Sequence, residues 1–105
     1  MTKWTAEQYA RELQERKQTA HDKMWLYIDV NAKEFMEECE PGVKNPEACC
    51  QAMTELMLEG DRFLHEPKPL NKPSGKLTVR YFVDNLHPSR RTWAQANHTD
   101  QIRIS

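Results

Sequence analysis

Apolar residues recur at helical spacing over the first quarter of the chain, where Tyr9, Leu13, Ala20, Met24 and Ile28 share one face. The pattern predicts a helix from Thr5 to about Ile28. Thr5 and Gln8 have the spacing of a capping box, which satisfies two orphan amides at a helix start. Lys17 interrupts the stripe. The segment KMWLYIDV that closes the pattern is apolar enough to be buried. Its last part, Tyr27 to Val30, either ends the helix or forms a short strand.

Two shorter helices follow. Asn31 has the character of an N-cap, with Glu34 three residues on as its reciprocal partner. A helix from Ala32 to about Glu38 turns Phe35 and Met36 inward and stops at Pro41 and Gly42. Asn45, Pro46 and Glu47 then supply an N-cap, a proline at the first helical position and an early acid. This third helix is expected to run to Leu58 or Glu59, with Gly60 as a left-handed C-cap. Its apolar stripe is Cys49, Ala52, Met53, Leu56 and Met57.

The period then changes from 3.6 to 2. RFLHE is a candidate strand. In KLTVRYFVD, Leu77, Val79, Tyr81 and Val83 alternate with Thr78, Arg80, Phe82 and Asp84, as in a half-buried strand. The loop between them holds Pro67, Pro69, Pro73 and Gly75. Prolines cannot donate to a ladder, so pairing should end near Glu66 and resume near Lys76. After Asn85 the periodicity is weak. Residues 1–86 are thus expected to form one domain, and 87–105 a solvated tail with one short helix near Ser89 to Ala96.

Composition narrows the function classes. A chain of 105 residues with 38% apolar and 30% charged residues suits one ordinary domain. It contains no apolar run long enough to span a bilayer and no segment of signal-peptide type, so a membrane is not an expected partner. Three cysteines are too few, and odd in number, for a secreted disulfide framework, so the cytoplasm is the expected compartment. Cys39, Cys49 and Cys50 lack zinc-ligand spacing and the four histidines are scattered; no metal and no cofactor is expected. The chain has no nucleophile elbow, P-loop or glycine-rich nucleotide turn, and is expected not to be an enzyme. The net charge of -1 conceals an asymmetry. Residues 1–60 hold 7 Lys/Arg against 12 Asp/Glu, and residues 61–105 hold 8 against 4. Such a distribution permits a basic face on an acidic body.

The order of helix, short strand, short helix, turn, capped helix, strand, loop and strand resembles the winged helix-turn-helix fold. The residues that carry the likeness are NAKEFMEECEPGVKNPEACCQAMTELMLEGDRFL followed by GKLTVRYFV. The resemblance implies an α+β fold of about three helices, with an extended N-terminal helix and a C-terminal hairpin wing. It also implies that duplex DNA is the partner, read by the third helix in the major groove while the wing grips the backbone. By position the contacts would be Lys44, Gln51 and Thr54 around that helix and Lys68, Lys72, Lys76 and Arg80 on the wing. The third helix departs from this pattern: it carries Glu47, Glu55 and Glu59 and no cation. A protein partner docking on that acidic helix is therefore the alternative. The aromatic stripe of Trp4, Tyr9 and Leu13 suggests a homodimer through the N-terminal helix, unless the helix folds back over the hairpin.

Overall fold

The computed structural model describes residues 3–66 and 74–96. Helix α1 spans Ala6–Asp22, strand β1 Tyr27–Asn31, helix α2 Ala32–Cys39, helix α3 Pro46–Glu55, strand β2 Arg62–His65 and strand β3 Thr78–Phe82. Residues 93–96 add a helical turn. The fold is α+β, with a three-stranded antiparallel sheet in the order β1-β3-β2.

The capping box at the start of α1 forms. Gln8 N–H donates to Thr5 Oγ1 at 3.2 Å, and Thr5 N–H to Gln8 Oε1 at 2.8 Å. The helix stops six residues short of the expected Ile28. Met24 takes φ 64°, and Met24 N–H and Trp25 N–H bond back to the carbonyls of His21 and Ala20. This is the Schellman arrangement, in which a left-handed residue closes the last turn. Glycine usually fills that position, so a methionine there gives no warning in the sequence. Beyond the stop, Tyr27–Asn31 is a strand, paired from Tyr27↔Phe82 to Asn31↔Thr78. Met24, Trp25, Leu26 and Tyr27, expected to be buried, are exposed.

The Asn31 side chain caps α2 by accepting from Glu34 N–H at 3.1 Å. Asn45 does not cap α3 with its side chain; it donates instead to Trp4 O at 2.8 Å and Glu40 Oε1 at 3.2 Å. Helix α3 ends at Glu55, earlier than the expected Leu58 or Glu59. Tertiary partners take over its frayed end. Leu56 O accepts from Lys17, Met57 O from Trp93 N–H, and Asp61 Oδ2 receives Leu58 N–H. Gly60, at φ 99°, serves the turn closed by Asp61 N–H to Leu58 O instead of capping the helix.

One core joins the helices to a single face of the sheet. Tyr9, Leu13, Phe35, Met53, Met57, Leu77, Val79, Tyr81 and Val83 are almost completely buried in it. Burial of each such side chain contributes about 1.5–3 kcal/mol. Tyr9 stacks edge-on to Phe35, and the Tyr81 hydroxyl donates to Met53 O at 2.6 Å. The α1 stripe thus packs within the chain, and the dimer surface expected on Tyr9 and Leu13 is covered. Lys17, the break in that stripe, is also buried. Its ammonium bonds Leu56 O at 3.0 Å and lies over the Tyr81 ring, and burial lowers its pKa to about 8.

The segment after Asn85 is not a solvated tail as far as residue 96. Trp93 packs edge-on against Phe63, Leu58 bridges Thr92, and Arg90 is buried against Asp61. No described helix is long and apolar enough to cross a membrane.

Candidate functional site

Four of the seven expected DNA-contact residues lie near α3 and the described base of the hairpin. Lys44 is exposed just before α3, and Lys76 is exposed in the turn that leads to β3. The hairpin base is held against the helices. Cys50 Sγ donates to Ser74 O at 3.3 Å, and Lys33 N–H donates to Gly75 O at 3.1 Å. This brings the start of β3 beside α3 and the first turn of α2. Lys68 and Lys72 lie outside the described residues.

Gln51 and Thr54 are engaged by their own helix. Gln51 Nε2 donates to Glu55 Oε1 at 3.0 Å. The Thr54 hydroxyl donates to Cys50 O at 3.0 Å and to Gln51 O at 3.1 Å. Glu47, Gln51 and Glu55 recur every four residues and all are exposed, so they form one outward ridge along α3. The ridge carries two carboxylates and no cation.

Arg80 stands apart from the others. It points from β3 onto the sheet face away from the core, where Nε and Nη2 reach the Asp29 carboxylate at 2.8 and 3.1 Å. Its guanidinium also lies 4.1 Å from the centre of the Tyr27 ring. The hydrogen bonds to Asp29 raise its pKa further. A guanidinium held bidentately in this way is not free for a phosphate. Arg62 lies directly opposite Arg80 on β2, over the ring of Phe82.

Arg90 and Arg91, the two adjacent cations that follow β3, are also committed. Arg90 is buried with Asp61, and Arg91 pairs with Glu59. The sequence gives no sign of these pairings. Asp29 and Arg80 are 51 residues apart, and only the β1–β3 register brings them together.

The described residues hold no group of three or more His, Cys, Asp or Glu able to bind a metal. All three thiols are free, and burial raises the pKa of each, that of Cys39 to about 11. They are therefore poor nucleophiles at neutral pH.

No family model, no curated protein and no solved structure matches the chain.

Proposed function

We propose that the chain is a non-catalytic, winged-helix-like interaction module that presents the outward face of α3 to a basic surface on a protein partner. The observation that carries this reading is the ridge of Glu47, Gln51 and Glu55. Carboxylates at these positions repel a phosphate backbone and attract Lys- or Arg-rich protein surface. The element order supports the winged-helix part of the reading, because α3 leads within a few residues into the β2–β3 hairpin. The three free thiols suit a reducing compartment such as the cytoplasm.

Duplex DNA is the second reading. The exposed Lys76 beside α3 favours it, since a cationic wing next to the third helix is what backbone contact requires. Against it stand the self-engaged Gln51 and Thr54 and the pairing of Arg80.

Amide chemical shifts of the isotope-labelled chain, titrated with a deca-lysine peptide at low ionic strength, test the acidic face. The largest changes are expected at Glu47, Gln51 and Glu55, and a Glu47→Gln/Glu55→Gln variant should lose them while keeping its fold. Changes centred on Glu34 and Glu37 of α2 would overturn the assignment.

A further inference from the structure

Among the described residues, four of the five exposed large apolar side chains are consecutive. Met24 is 91% exposed, Trp25 53%, Leu26 56% and Tyr27 39%. They connect α1 to β1, and Tyr27 opens the strand. β1 is an outer strand, paired with β3 on one side only. No described strand pairs with its other edge, which therefore offers backbone donors and acceptors. An open edge beside an apolar run invites strand addition. A groove of about 360 Å³ follows the edge. Thr19 and Ala20 of α1 and Lys23 at its C-cap line one wall, and Ile28 and Val30 of β1 the other.

We propose that a second copy of the chain covers this edge, with the two β1 strands running antiparallel about a twofold axis at Asp29. In this register Ile28 of each copy meets Val30 of the other on the core side, and the two three-stranded sheets become one of six. The charges favour a second copy over a foreign strand. Asp29, on the axis, is already paired with Arg80 of its own chain, so the two Asp29 carboxylates that meet there are each compensated. Of the charges on the α1 wall, Arg16 is paired with Glu12 and Glu38. Glu15 and Lys23 make no ion pair among the described residues. They stand two helical turns apart, with Thr19 midway between them. The axis turns Glu15 of each copy toward Lys23 of the other, so that both charges are matched. A strand of one charge sign would match only one of them. The exposed Trp25 and Leu26 flank the same edge and supply apolar contact. The β1 edge shares no residue with the outward face of α3, so the two surfaces are independent.

Sedimentation equilibrium of the full chain tests the dimer, from low micromolar to several hundred micromolar. The mass is expected to rise from 12.4 kDa toward twice that value. Lys23→Glu, which sets an acid against Glu15, should weaken the dimer about tenfold. The exchanged pair Glu15→Lys/Lys23→Glu should restore it, and Trp25→Ser, which removes apolar contact and the ring beneath Lys23, should weaken it as well. All three positions are exposed, and circular dichroism melts confirm that each variant folds. A 12.4 kDa species at every concentration would overturn the proposal and leave the edge to an extended strand of another protein. A dimer that Lys23→Glu does not weaken, or that the exchanged pair does not restore, would overturn it as well.

Discussion

Replacing Asp61 by alanine is expected to lower the unfolding free energy by about 3–5 kcal/mol in urea melts, the cost of stranding a buried charge. Asp61 is 4% exposed. Its carboxylate accepts from Leu58 N–H, Phe82 N–H and Arg90 Nη2, each at 2.8 Å. Arg90 in turn donates to the carbonyls of Glu59, Phe82 and Asn85. One ion pair therefore fixes the exit of α3, the end of β3 and the segment that folds back after it. Loss of the carboxylate leaves the guanidinium buried without its counter-charge and two amides without an acceptor. The total stability of a domain this size is only about 5–15 kcal/mol, so the variant should be close to unfolding at 37 °C. Asp61→Ala/Arg90→Met should lose less than the sum of the two single variants, because the second change removes the stranded charge. A loss under about 1 kcal/mol in Asp61→Ala would mean that water reaches the pair, as at surface ion pairs.

The second large effect is expected at Glu40, the residue that ties the N-terminus to the α2–α3 connection. Its carboxylate accepts from the Tyr9 hydroxyl, Trp4 N–H and Asn45 Nδ2. Glu40→Ala leaves those donors unsatisfied, at about 1–3 kcal/mol for each that stays buried. A total loss of about 3 kcal/mol is the expected result. The same group shapes the response to acid. Burial alone raises its pKa, but hydrogen bonds from Tyr9, Trp4 and Asn45 outweigh burial and hold it below the usual carboxylate value. A carboxyl depressed in the folded state binds fewer protons there than in the unfolded chain. Its stabilisation is complete above the unfolded value of about 4.3 and is lost as pH falls through the lower, folded value. Wild type and Glu40→Gln should therefore converge in stability as pH falls below about 4. A constant difference from pH 7 to pH 3 would contradict the linkage.

The readable parts of the sequence were those governed by local rules. The capping box at Thr5, the Asn31 cap and the proline start of α3 lie within a turn of the helices they begin. The alternation from Leu77 to Val83 is dense enough to identify the strand and its buried face. What failed depended on a local stop made without its usual residue, or on distant residues. Met24 ends α1 without the usual glycine, so the helix pattern ran on into a strand. Gly60 read as a helix cap because no local signal showed that Lys17, Asp61 and Trp93 would take over the end of α3. The segment after Asn85 read as a tail because its anchors, Asp61 and Phe63, lie some 30 positions earlier. The candidate site divided in the same way. The acidity of α3 was visible in the sequence, whereas the capture of Arg80 by Asp29 needed the register of β1 on β3.

The most direct functional test is a titration of the full chain against random-sequence duplex DNA at low and at moderate salt. With Glu47 and Glu55 outward and Arg80, Arg90 and Arg91 paired within the chain, no retained complex is expected at either salt concentration. A complex at low salt whose affinity falls steeply as salt is added would contradict this, and would return the function to Lys44 and the wing lysines Lys68, Lys72 and Lys76.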